Sequence, residues 1–309
     1  MARRRRAVGD RPRDGRGGHH VPRRHRPAPA PPVSDLHARV DRLAAAIADR
    51  AGAGTRGGVP VVSVWLGDLD GGVHLDRDPD VPHYAASTMK LPLLVAAHRL
   101  HERGALDLDR PVVVHNRFAS AADGSPFSLD QSDDQDDETW AALGEERSLR
   151  TLTEHMTVKS GNLATNLVLE RVGADAVAEV LSDAGASTAT ALPRGIEDAA
   201  AREAGLDNLV TAEDLGRVMR VVPADVEAVL ARQEHRGSIP AGLPDGTYVA
   251  NKTGWVDGIT HDVALVRPDD RPPYVLVVLT TVDVPEEVAA GFIADVSRVV
   301  WEDWRATDR

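Results

Sequence analysis

Hydrophobic and polar positions change period several times along the chain. In SDLHARVDRLAAAIADRAG, Leu36, Val40, Leu43, Ala44 and Ile47 recur at helical spacing, which predicts an amphipathic helix capped by Ser34 or Asp35. AGAGTRGG interrupts it. Val61, Val62 and Val64 then open a hairpin that turns at Asp70-Gly71-Gly72. The run Leu91-Pro92-Leu93-Leu94-Val95 follows Ser87-Thr88-Met89-Lys90 and predicts a helix from near Ser87 to about Arg103-Gly104. RSLRTLTEHMTVKSGNLATNLVLERVG reads as two helices around a break at Lys159-Ser160-Gly161, with Asn162 as the second cap. ADAVAEVLSDAG is a further short helix. Weak periodicity after Gly185 reads as a loop carrying a short helix. Thr211 caps the next helix and Pro223 opens another. GTYVANKTGW, ITHDVALVRP and PYVLVVLTTVD are predicted strands, and PEEVAAGFIADVSRVVWEDW closes the chain as a helix.

This order predicts an α/β fold. One antiparallel five-stranded sheet is built from N- and C-terminal segments and flanked by helices, with an all-helical insertion over about 105–235. The termini are then neighbours. Residues 117–147 are acidic and non-periodic. Two readings stand for them, a solvated insertion and a wall of a substrate cleft.

Composition changes this picture at one end. The chain has 309 residues and a net charge of −12, yet residues 1–33 hold ten Arg and two Asp, so the rest carries the opposite sign more strongly. The Arg/Pro/Gly-rich segment 1–33 is expected to be a disordered tail, and 34–309 one domain. An acidic body excludes the basic face of a nucleic-acid-binding domain. No run is long and apolar enough to predict a membrane span. No apolar stretch follows MARRRR, so a cytoplasmic protein is expected, or a secreted one if translation begins elsewhere. There is no cysteine, and the twelve His form no H-x-x-x-H pair on a helix, so neither a metal nor another cofactor is expected. The expected partner is a small molecule, and the expected state a monomer.

Three short motifs carry chemistry. Ser87 and Lys90 stand three apart at a predicted helix start, on one face and one turn from each other. There a lysine can take the proton of a serine hydroxyl. Ser160-Gly161-Asn162 lies between two helices, and Lys252-Thr253-Gly254 lies on a strand before a hairpin. In this order and setting the motifs resemble those of the penicillin-recognising serine hydrolases, specifically the class A β-lactamase-like group, over roughly residues 34–304. The resemblance implies a β-lactamase/transpeptidase-like fold and an acyl-Ser87 intermediate. Ser87 is then the nucleophile, with its own N–H and that of Trp255 as oxyanion donors. Lys90 must be neutral to accept a proton, and burial facing Lys252 depresses its pKa. Ser160 relays a proton, Asn162 holds the substrate amide, and Lys252, Thr253 and Gly254 serve the substrate carboxylate. The implied substrate is a β-lactam or related acyl compound. The alternatives are an esterase or D-Ala-D-Ala carboxypeptidase of the same fold, and a binding homologue without turnover.

The pattern departs from the family in two places. The second motif is S-G-N where many members have S-D-N, so a bracing carboxylate is missing. The loop after Gly185 lacks the usual Glu and Asn spacing for a deacylating water. Glu197 is the first candidate there, followed by Asp198 and Glu203. His83, Tyr84 and Asn166 read as packing or structural residues, and His261 and Asp262 as strand residues in a hairpin bond.

Overall fold

The computed structural model describes residues 35–51 and 59–306. The tail expected over 1–33 lies outside them. Helix α1, Leu36–Ala48, buries Leu36, Val40, Ala44 and Ile47, the stripe that the periodicity marks. Asp35 stands at its cap position without a side-chain cap bond, and Ser34 is outside the described residues. Strands β1, Val61–Asp68, and β2, Val73–Arg77, form the first hairpin. The short strand β3, His83–Tyr84, leads through a 3-10 turn, Ala86–Met89, into helix α2, Lys90–Glu102.

The acidic stretch is more ordered than its lack of period predicts. β4, Pro111–Val113, pairs with β7, Glu146–Ser148, and β5, Phe118–Ala119, pairs with β6, Pro126–Phe127. A short helix α3, Asp137–Ala141, starts on Asp136, whose carboxylate accepts from Thr139 N. Elements this short are set by side-chain-to-backbone bonds rather than by hydrophobic repeats.

The insertion expected to be all-helical therefore holds short strand pairs as well, set by local bonds too brief to leave a period, and its helical part continues with α4, Leu149–Val158, α5, Asn162–Val172, and α6, Ala174–Asp183. After it come α7, Ala199–Glu203, the two-residue strand β8, Leu209–Val210, which pairs with β3, then α8, Ala212–Arg220, and α9, Ala224–Leu230. Thr211 caps α8 by accepting from Asp214 N, as read from the sequence. Strands β9, Tyr248–Val256, β10, Ile259–Arg267, and β11, Tyr274–Thr281, complete an antiparallel sheet in the order β2-β1-β11-β10-β9. Helix α10, Glu286–Ala306, ends the described chain.

The sheet is buried on both faces, which explains why β11 reads as an unbroken apolar run. Its alternate residues part company. Val275, Val277 and Leu279 join the core under the helical region, while Tyr274, Leu276 and Val278 join the core under α1 and α10. Helix α8 approaches the sheet closely because Gly216 has no side chain; a Cβ there would lie 2.4 Å from Trp65. No helix among the described residues is long and apolar enough to cross a membrane.

Two buried histidines tie the sheet to the segment that precedes α2. His83 and His261 meet edge to face, with ring centroids 5.4 Å apart. Ser63 Oγ gives its proton to Asp78 O, so His83 Nε2–H donates to Ser63 Oγ at 2.9 Å and Nδ1 accepts from Thr281 Oγ1 at 2.8 Å. His261 Nε2–H donates to Tyr84 O at 2.9 Å, and its Nδ1 accepts from Thr280 N at 3.1 Å. The sequence reading of His261 as a hairpin residue is half right. It bonds β11 and the approach to the 3-10 turn, rather than β9.

Both rings are therefore neutral. Burial, with the nearby His261, pushes His83 down to about 3, and burial pushes His261 down to about 4. An unfolded histidine titrates near pH ~6.5. A depressed folded value means that the stabilisation is complete above that pH and is lost as the pH falls from there toward 4 and 3. Each histidine is expected to cost about 1.4 kcal/mol of stability per pH unit in that window. Thermal melts from pH 7.5 to 4.5 should show the loss, with a shallower slope for His83→Gln. An equal slope in that variant would contradict the assignment.

Candidate active site

Ser87 lies in the 3-10 turn, and Lys90 is the first residue of α2. The helix thus begins three residues later than the sequence predicts, because Ala86 takes a left-handed φ of 44° and the first turn winds more tightly. The i, i+3 relation keeps the two residues one turn apart. Strand β9 runs against this turn. A Cβ on Gly254 would lie 2.7 Å from Ser87 N and 2.8 Å from Thr88 N, so only glycine admits the strand there.

Ser160 lies in the break between α4 and α5. Its Oγ is 3.3 Å from Lys90 Nζ and 3.1 Å from Lys252 Nζ. Lys90 also donates to Ser160 O at 2.6 Å and Asn162 Oδ1 at 2.9 Å, and Lys252 to Thr253 O at 2.8 Å. The chain has only three lysines, and two of them flank this one hydroxyl. Both are completely buried. Burial, then Lys252, hold Lys90 well below the usual lysine range. Burial brings Lys252 to about 7, against the opposing pull of Asp262. A hydroxyl accepting from two amines still has its own proton to give.

The second motif is braced from outside itself. Gly161, not Asn162, takes the cap position of α5, and its side-chain-free backbone offers no cap. Asp134 supplies one, accepting from Asn162 N at 2.9 Å and Leu163 N at 2.8 Å. Asn162 Nδ2 donates to Asp133 O at 2.9 Å, leaving its Oδ1 to Lys90. Asp136 is buried beside Gly161.

A cleft of about 580 Å³ opens over this floor. Ser87, Asn162, Glu197 and Trp255 line it, while Lys90, Ser160, Lys252 and Thr253 lie buried at the motifs around it. Ser132, Asp133 and Gln135 form part of its wall, so that part of the acidic stretch borders the cleft, while most of the stretch is exposed. Thr253 Oγ1 is buried without a hydrogen bond.

Of the acids in the loop after Gly185, Glu197 is the one whose carboxylate is left with unused capacity at the cleft. Its Oε2 accepts from Asp130 N at 2.9 Å, and its Oε1 is buried without a partner. Burial, with Asp133, Asp130 and Asp134 nearby, raises its pKa. Asp198 is committed elsewhere, to Ser120 Oγ, Ala121 N and the cap of α7. Glu203 is exposed and does not line the cleft. Asn166 holds the loop by bonding Ile196 N at 2.8 Å and Ile196 O at 3.0 Å. Arg194, also at the cleft, is buried and paired with Asp207 at 2.6 Å.

Four non-glycine residues of the described chain have positive φ, and three are Ala86, Ser160 and Glu197, at 44°, 63° and 62°. Backbone strain of this kind costs about 1–3 kcal/mol per residue and gathers where side chains must be aimed.

The model of the beta-lactamase enzyme family matches residues 42–304. Over 69 residues the chain is 42% identical to a beta-lactamase of Citrobacter koseri; that stretch is 21% of this chain and 23% of the relative, so the chain spans under a quarter of the curated relative that it matches. A beta-lactamase structure from Sphaerobacter thermophilus DSM 20745 superposes with a TM-score of 0.70 at 21% identity, covering 88% of this chain and 98% of that one. One from Xanthomonas campestris pv. campestris gives 0.70 at 18% identity, over 87% and 99%. The structure of PBP-A gives 0.68 at 19% identity, over 87% and 97%. These structural likenesses are of fold.

Proposed function

The chain belongs to the beta-lactamase enzyme family, and from that premise we propose that it hydrolyses β-lactams or a related acyl substrate through an acyl-Ser87 intermediate. The observation that carries this reading is the Ser160 hydroxyl held between two buried lysines beside the Ser87 turn.

In the proposed sequence a neutral Lys90 takes the Ser87 proton as Oγ attacks the carbonyl carbon. The backbone N–H groups of Ser87 and Trp255 receive the oxyanion, a contribution of about 3–4 kcal/mol per donor. The C–N bond then breaks. Ser160 passes its proton to the departing nitrogen and is reprotonated from the lysine pair. Lys252 and Thr253 receive the substrate carboxylate, for which the unpartnered Thr253 hydroxyl is available. Asn162 holds the amide. Glu197 then takes a proton from water as the water attacks the acyl carbon, and Ser87 leaves with a proton returned to it.

A second reading has a specific observation behind it. Glu197 is tied to Asp130 N, and Asn166 is used on Ile196 N and O, so Asn166 is not left to orient a water beside Glu197. That arrangement favours a slow deacylator, an esterase or D-Ala-D-Ala carboxypeptidase on the same unit, residues 34–309. Intact-mass spectrometry with benzylpenicillin over time separates these readings. A transient adduct on Ser87 is expected. A persistent adduct supports the second reading, and no adduct together with no turnover of a chromogenic cephalosporin overturns the first.

A further inference from the structure

We propose that Asp136 is a positioning residue for Ser160: a carboxylate delivered from the loop before α3 fills the space beside Gly161 and, paired with His155, holds the turn that keeps the Ser160 hydroxyl between Lys90 and Lys252. This inference rests on the acyl-enzyme reading for its catalytic meaning.

The geometry makes the two residues mutually exclusive with any side chain at position 161. A Cβ built on Gly161 would lie 2.8 Å from Asp136 Cβ and 2.9 Å from its Oδ2. The carboxylate that S-D-N would carry inside the motif therefore has no room here, because one from another element already occupies that ground. Asp136 has no exposed surface. Its Oδ2 accepts from Thr139 Oγ1 and from His155 Nδ1, the latter at 3.1 Å. Burial alone would raise its pKa, but His155 and Thr139 together hold it below the usual range. Asp136 in turn raises His155.

His155 also grips the turn through its backbone. Its carbonyl accepts from Gly161 N at 3.1 Å and Lys159 N at 3.2 Å. The ion pair and the turn are thus one unit, and that unit fixes Ser160 at its positive φ. Other charges face the same group. Glu138 from α3 approaches His155 Nε2 at 3.6 Å and pairs with Lys159. Lys90 faces Lys252 from β9 and both Asp134 and Asp136 from the loop. Asp134 serves the backbone of α5 and the Trp140 indole, so Asp136 is the carboxylate committed to the turn.

The deciding experiment uses Asp136→Asn in the full chain, which keeps the shape and removes the charge. With only three lysines, ¹³Cε-lysine labelling gives three NMR signals that single Lys→Arg variants assign. Loss of a carboxylate that favours the Lys90 ammonium is expected to lower the Lys90 titration midpoint. Acylation by benzylpenicillin is expected to slow about tenfold while the melting temperature shows the protein folded. Asp136→Gly should slow it further, and adding Gly161→Asp to that variant should recover at least about tenfold of the loss, since the carboxylate returns from the turn itself. A folded Asp136→Asn protein that is acylated at the wild-type rate overturns the proposal, whatever the Lys90 midpoint does. If the wild type forms no acyl adduct and turns over no acyl substrate, the acyl-enzyme reading fails, and a crystal structure of Asp136→Asn with Ser160 Oγ still between Lys90 and Lys252 separately overturns this one.

Discussion

Ser87→Ala is expected to abolish the penicillin adduct and to lower kcat/KM by about ten-thousand-fold or more, some 5.5 kcal/mol of transition-state stabilisation. The size follows from the kind of step removed. Without Oγ there is no atom to form the acyl bond, whereas binding groups and backbone oxyanion donors stay in place and leave a residual rate. The fold should survive. Ser87 is only partly buried, and its turn is shaped by Ala86 and by the approach of Gly254 rather than by its hydroxyl. Intact mass after a long incubation and a thermal melt check both halves. An adduct that persists in this variant would mean that another group is acylated. Unchanged turnover with every acyl substrate would leave Ser87 without a role.

The second large effect is expected from Glu197→Gln, on the other half of the cycle. Acylation should remain within about tenfold of wild type, while release of the acyl group slows about a thousandfold, roughly 4 kcal/mol, and the adduct persists. The same step should depend on pH in the wild type. Burial and the neighbouring Asp133, Asp130 and Asp134 raise Glu197, so its basic form is lost at a higher pH than for an ordinary glutamate. Below that pKa the release rate should fall about tenfold per unit, and the adduct should accumulate in acid as it does in the variant. Time-resolved mass spectra at pH 5 and pH 7.5 test both statements. Equal release rates in Glu197→Gln and wild type would assign the water to another base or to none.

Much of the fold was legible because its long elements obey one period each. The helical stripe of α1 and the apolar run of β11 leave few alternatives, and turn residues bound them. The site was legible where chemistry requires a fixed residue type at fixed spacing, as for Ser87 and Lys90. What escaped were bonds between distant segments. Nothing in Asp134 or Asp136 distinguishes a helix cap or a turn brace from the other acids of a strongly acidic stretch, since each role depends on a backbone that arrives from elsewhere. Gly161 looked like a lost carboxylate for the same reason. The strained backbones of Ala86, Ser160 and Glu197 were invisible too, since positive φ at a non-glycine residue is imposed by packing and not by its own preference. Asn162 seemed a good cap, but its amide was needed at Lys90, and Asp134 did the capping.

The pairing of β1 with β11, which sets Val61 opposite Thr281, has a consequence for biosynthesis. On the ribosome the first hairpin emerges well before the strand that pairs with β1, which is translated much later. The helical region between them shares its apolar core with the sheet and stays incomplete until those strands arrive, and Gly254 reaches Ser87 only when β9 docks. A chain cut short before Tyr274 would leave β1 and β10 with open edges, the form of a strand most prone to pair with another molecule. This nucleophile therefore acquires its surroundings only after β9 has been made and has docked.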